Sequence, residues 1–174
     1  MTKRAWIVAA IIALVAGIGL YLTRFASHAK RLFVDVASVM PTGVGGVMDL
    51  ISGFKLNVEV LLKNFSSSAF NVNQLKIDLY SPNGTKLAEQ PAPLQESKHL
   101  KPNQNNTLDM EFDANLHGFA DLLMNEAKDI NSLLDAKDRL MAWVTTGELG
   151  VTVVAKGFVQ AEGVKIDINE DVQI

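Results

Sequence analysis

The chain of 174 residues has no cysteine, which excludes disulfides and thiolate chemistry. Its formal charge of −3 conceals a split: residues 1–31 hold five Lys/Arg and no acid, whereas residues 32–174 hold 11 Lys/Arg against 19 Asp/Glu. An acidic domain with a single arginine, Arg139, is a poor reader of phosphate backbones, which excludes nucleic acid as a partner class.

The first element in the chain is an uncharged apolar run, Ala5–Leu22. As a helix it would extend roughly 27 Å, close to the hydrocarbon thickness of a bilayer. Lys3 and Arg4 flank one end, Arg24, Lys30 and Arg31 the other, and Trp6 and Tyr21 stand where interfacial aromatics would lie. A cleavable signal peptide is the competing reading, with Ser27-His28-Ala29 as a cleavage site, but the run exceeds the ~7–15 residues of a signal core. The flanking charges balance, and a short N-terminal tail is easily kept inside, which places the domain on the non-cytoplasmic side. Ala5, Ala9, Ala13 and Gly17 form a small-residue stripe of the kind that lets two spanning helices approach closely. The expected organisation is an anchor over residues 1–23, a basic juxtamembrane linker over 24–31 and a β-sandwich domain over 32–174, with the lipid bilayer as a partner through residues 5–22.

Beyond the linker the period of the sequence is two. Leu32–Val39 reads as a first strand ended by Pro41, Thr42–Gly46 as a loop, and Met48–Gly53 as a short helical turn. Leu56, Val58, Val60 and Leu62 alternate with polar residues, as do Leu75, Ile77 and Leu79, then Leu108, Met110 and Phe112, then Val164, Ile166 and Ile168. Each pattern predicts a strand with one dry and one wet face, as in antiparallel sheets packed on one side. Val151–Gln160 is a longer strand in which Gly157 predicts a bulge or bend. Ser81-Pro82-Asn83-Gly84 suits a tight turn into a strand near Thr85–Glu89, and Pro91–Gln95 and Lys101–Asn106 are polar connections. Between Phe119 and Val144 the apolar spacing changes to three and four. This predicts a helical insertion broken near Asp129–Asn131, capped by Ser132 with Asp135 and ended at Thr145–Gly147.

Candidate chemistry is sparse, and no residue is assigned a catalytic, cofactor-binding or metal role. His28, His99 and His117 lack metal-ligand spacing. Asp109, Glu111 and Asp113 share a strand face, but alternate residues there stand nearly 7 Å apart, about twice one strand step, so the three read as a solvated face. Thr42-Gly43-Val44-Gly45-Gly46-Val47-Met48 has Met48 where a third glycine would complete a phosphate loop. Ser66, Ser67 and Ser68 lie in a turn without a nucleophile-elbow pattern. Asn64-Phe65-Ser66, Asn83-Gly84-Thr85 and Asn105-Asn106-Thr107 match the glycosylation pattern, which matters only in a eukaryotic secretory pathway.

The order of motifs resembles the second class of late embryogenesis abundant proteins, the water-stress and hypersensitive-response domain, over about Leu32–Ile174. The resemblance lies in an aliphatic strand ending in an Asn-led turn (Leu56–Asn64), a strand and glycine turn (Leu75–Tyr80 and Asn83–Ala88), a polar loop before an alternating strand (Asn103–Phe112), and a Val-rich strand with an alternating tail (Val151–Gly157 and Gly163–Ile168). Phe65 departs from it, since proline usually follows the asparagine, and the helical stretch 119–144 is longer than the pattern. The resemblance implies an immunoglobulin- or fibronectin-like antiparallel β-sandwich with a helix at one end, no catalysis and no cofactor, in a membrane-anchored protein of stress protection or interaction. The expected function is therefore a non-enzymatic structural or protein-interaction module with protein partners or self-association, including a component of an assembly such as a membrane-containing virion. The alternative is a tethered carrier of lipid or another apolar ligand, with Val36, Val58, Val60, Ile77 and Met110 lining its slot.

Overall fold

The computed structural model describes residues 31–44, 53–94, 97–126 and 132–174. The run Ala5–Leu22, the linker up to Lys30, most of the expected turn at Met48–Gly53 and the expected helix break at Asp129–Asn131 lie outside the described residues. The chain is mainly β, with eight antiparallel strands in one strongly curled sheet and two helices. The strands are β1 (Leu32–Thr42), β2 (Phe54–Asn64), β3 (Phe70–Tyr80), β4 (Lys86–Glu89), β5 (Lys98–Leu100), β6 (Asn105–Ala114), β7 (Thr152–Ala161) and β8 (Val164–Gln173). Helices α1 (Leu116–Glu126) and α2 (Leu133–Thr146) lie between β6 and β7. The sheet order is β1-β2-β6-β4-β3-β7-β8, with β5 also on β3.

The period-two pattern is what buries one face. Leu56, Val58, Val60 and Leu62 of β2 are fully buried, as are Leu75, Ile77 and Leu79 of β3 and Val153, Ala155 and Val159 of β7. Each large aliphatic removed from water in this way contributes about 1.5–3 kcal/mol before conformational entropy is counted. Two long ladders carry the sheet, β1-β2-β6 on one side and β3-β7-β8 on the other. The four-residue β4 joins them, pairing with β3 at Asp78–Tyr80 and with β6 at Ala114 and Asp113.

Several boundaries differ from the sequence expectation. β1 continues through Pro41 because it is an edge strand, where proline's missing N–H costs no ladder bond. β3 begins at Phe70, earlier than its aliphatic alternation. The three-residue β5, which carries too few residues for a period to register, pairs with that beginning. Gly157 makes no bulge, because the β3–β7 register runs unbroken through Ile77↔Gly157. It permits close approach instead: a Cβ on Gly157 would stand 1.9 Å from the Lys76 carbonyl oxygen. The β7–β8 hairpin turns at Glu162 and Gly163, both with positive φ (48° and 80°), the geometry of a type I′ turn.

The helices form as their spacing predicts. The Ser132 hydroxyl accepts the Asp135 N–H at 3.1 Å. Gly147 ends α2 in the left-handed region, its N–H donating to the Trp143 carbonyl at 2.9 Å. Phe54, Phe119 and Trp143 stack as tilted neighbours, 5.8 and 5.6 Å between ring centres, so the helices close one end of the curled sheet. The domain's one arginine is part of this closure, since Arg139 Nε donates to the Leu149 carbonyl at 3.2 Å.

Candidate functional site

The first and last strands of the sheet order, β1 and β8, run side by side in the same direction without pairing. Between them lies a groove of about 290 Å³ bordered by Leu32, Phe33, Val34 and residues 166–170. A second groove of about 350 Å³ continues along the same seam past Val39, Met40, Gly147 and Ile174. Both strands are amphipathic edges, so the seam combines apolar side chains with backbone groups turned towards the neighbouring edge.

One carboxyl pair sits in this seam. Glu170 of β8 faces Asp35 and the Val36 N–H of β1, with Lys63 of β2 behind them. A register shift between Val36 and Ser38 bends β1 at this point. Lys63 Nζ lies 3.2 Å from Asp35 Oδ2, so the cation belongs to Asp35. Glu170 Oε2 is buried without a hydrogen-bond partner. Burial, then the hydrogen bond to Asp35 and its charge, raise the Glu170 pKa above the ordinary carboxylate range, while the Val36 N–H and Lys63 oppose the rise.

The residues singled out from sequence do not converge. His99 is exposed on β5 and meets Asn71 Oδ1 through Nδ1 at 2.9 Å, and His117 is exposed on α1. His28 and the glycine loop beyond Val44 lie outside the described residues. Asp109, Glu111 and Asp113 spread along the outer face of β6, where Lys55 contacts Glu111 and Asn57 reaches Asp109 at 3.5 Å. Among the described residues no group of three or more His, Asp or Glu is placed to hold a metal ion. Among the same residues no helix is long and apolar enough to cross a membrane.

Ser66, Ser67 and Ser68 follow Asn64, whose buried amide organises their turn. It accepts the Ser66 N–H at 2.8 Å and donates towards the Ser68, Leu100 and Lys101 carbonyls at 2.9, 3.3 and 2.9 Å. Val36, Val58, Val60, Ile77 and Met110 all belong to the one buried hydrophobic cluster, none more than 7% exposed. The seam and its carboxyl pair were missed from sequence. Nothing local marks β1 and β8 as neighbours, since they meet through the curl of the whole sheet.

No known protein family matches the sequence, and no curated protein matches it. Solved structures resemble it in part. The solution structure of a late embryogenesis abundant (LEA) protein is 12% identical, covering 99% of this chain and 86% of that one, with a TM-score of 0.40. A protein from Archaeoglobus fulgidus is 14% identical at a TM-score of 0.36, and a FixG-related protein from Vibrio parahaemolyticus 8% identical at 0.34. Each covers 82% of this chain and 95% of its own.

Proposed function

We propose that this is a non-enzymatic, single-span membrane protein whose β domain is a structural or protein-interaction module. The observation that carries the reading is the pair of unpaired strand edges, β1 and β8, that border one groove-lined seam. Such edges accept an extended segment from a partner or a second copy, with main-chain hydrogen bonds giving affinity and the flanking pockets giving selectivity. The apolar run Ala5–Leu22, a few residues before β1, would hold this seam close to a bilayer.

The finer fold reading is an immunoglobulin- or fibronectin-like sandwich whose two layers are the β1-β2-β6 and β3-β7-β8 ladders, with β4 as the strand shared at one margin. A stress-protective role and a place in an ordered membrane-associated assembly are the two settings in which such a module would serve. A carrier of apolar ligands draws less support, because the five residues expected to line its slot pack into the core.

Crosslinking the full-length protein in its native membrane, followed by mass spectrometry of the attached proteins, tests the reading. A defined stoichiometric set of partners, or a regular self-assembly crosslinked through β1 or β8, is expected. Monomer alone, with lipid retained in native mass spectrometry, would overturn it in favour of the carrier.

A further inference from the structure

The two ends of the domain differ in chemistry. One end is closed by α1 and α2. The other gathers the start of β1, the β2–β3 turn, β5 with its following turn, and the β7–β8 hairpin. Asn64 pairs with Leu32 of β1 and bonds to Ser68, Leu100 and Lys101, which connects the first three, and Asn71 connects β3 to the hairpin through Glu162 at 2.7 Å.

Two phenylalanines are exposed at this second end, Phe65 by 59% and Phe33 by 46%. The Phe65 N–H donates to the Arg31 carbonyl at 3.0 Å, a bond that proline there would lose. With Leu32 paired to Asn64 and Phe33 to Lys63, strand alternation sets Arg31, Phe33, Lys63 and Phe65 on one outer face. Lys63 lies over the Phe33 ring at 5.2 Å. Lys98, Lys101 and Lys165 belong to the same end. Among the described residues the carboxylates at this end are Glu162, Asp35 and Asp167, the last two ion-paired with Lys63 and Lys165. The described residues of this end are therefore cationic and aromatic, on a domain that is acidic as a whole.

It is also the end at which the chain arrives from the apolar run. Eight residues separate Leu22 from Arg31, a contour of at most about 28 Å even if fully extended. We propose that this end is a bilayer-docking face: Phe65 and Phe33 seat at the headgroup boundary while Arg31, Lys101 and Lys165 meet anionic lipid. The inference rests on the reading of Ala5–Leu22 as a membrane span. Exposed aromatics beside cations suit the interfacial zone, where an apolar ring enters and the charge remains wet. The remaining acidic surface is repelled by the same lipids, so attraction and repulsion together set one orientation, with the seam running away from the membrane.

Because the chain lacks cysteine, single labels can be placed cleanly on the full-length protein. Ser67→Cys reports the proposed face, Leu134→Cys the far end, and Ala13→Cys the apolar run. Residues 67 and 134 are exposed, so labelling them leaves the core intact. Each variant carries an environment-sensitive fluorophore in vesicles of phosphatidylcholine and phosphatidylglycerol containing a spin-labelled lipid, its label headgroup-proximal for positions 67 and 134 and deep in the acyl chain for position 13. The expected result is quenching at 67 at least about threefold stronger than at 134, with most of the difference lost on adding Phe65→Ser or omitting phosphatidylglycerol. Equal quenching at 67 and 134 with strong quenching at 13 would overturn docking and leave the span standing. No quenching at 13 would overturn the span, and docking with it.

Discussion

The Gln90 side chain completes the sheet beside Ile77: its Oε1 accepts the Ile77 N–H at 2.8 Å, and its Nε2 donates to the Leu75 and Ala92 carbonyls at 3.2 and 2.7 Å. β3 pairs with β4 at Asp78–Tyr80 and with β5 at Phe70–Val72, which leaves a gap between them on that side. Gln90, 4% exposed, fills the gap with its amide as a strand residue would with its peptide group. Gln90→Ala should cost about 1–3 kcal/mol, because the buried Ile77 N–H loses its partner, while the Leu75 carbonyl keeps the Leu94 N–H at 2.9 Å. Gln90→Glu should cost more at neutral pH, since a carboxylate would face two carbonyls. Chemical denaturation of the solubilised chain measures both, and a Gln90→Ala midpoint equal to the parent's would refute this role.

Asn64 has a comparable part at the opposite end of the sheet. Its amide joins the β2–β3 turn to the turn after β5, and its nitrogen is enclosed by three carbonyls. A glycan has no room there in the folded domain, although Asn64-Phe65-Ser66 matches the acceptor pattern. Asn64→Asp keeps the acceptor for the Ser66 N–H but turns the donor into a third-party charge among carbonyls. It should therefore destabilise at least as much as Asn64→Ala, about 2–3 kcal/mol. Thermal unfolding of the two variants decides the order, and Asp milder than Ala would contradict the geometry.

Much of this fold is legible as alternation. The aliphatic faces of β2, β3, β6 and β7 follow from spacing, and Ser132 and Gly147 mark the ends of α2 by residue type. What the sequence hides is tertiary. β5 is too short to show a period, and its existence depends on the β3 residues Phe70–Val72 beside it. Pro41 reads as a strand end until β1 is known to be an edge. Glu170 reads as one of many surface acids until the sheet curls and sets it against Asp35. The cationic, aromatic end is likewise assembled from four separate segments whose proximity no local pattern records.

Gly157 tests whether close approach is what that position requires. A Cβ there would meet the Lys76 carbonyl oxygen at 1.9 Å and its carbon at 2.8 Å, both backbone atoms that cannot rotate away. Gly157→Ala must push β7 and β3 apart locally, at a cost of about 2–3 kcal/mol. In a typical strand the same change is mildly stabilising. Stability unchanged or raised in the alanine variant would show that the two strands separate without penalty. Hydrogen exchange at Ile77 and Asp78 gives a local readout, with faster exchange expected.

Glu170 makes the domain's stability depend on pH in the direction opposite to that of most carboxylates. Its folded pKa lies above its unfolded value, because burial and Asp35 favour the protonated form. The folded state therefore holds more protons than the unfolded state between those two values, and this group's contribution falls as pH rises through the window. It is fully present below the unfolded pKa and lost above the folded one. Glu170→Gln removes the titration while keeping the shape, so the variant should unfold at a higher temperature than the parent at neutral pH. The difference should shrink on acidification, as the parent's own carboxyl takes up its proton. Asp35 and Lys63 remain paired in both proteins, so a difference that is constant from pH 4 to pH 8 would show that the seam does not hold this proton.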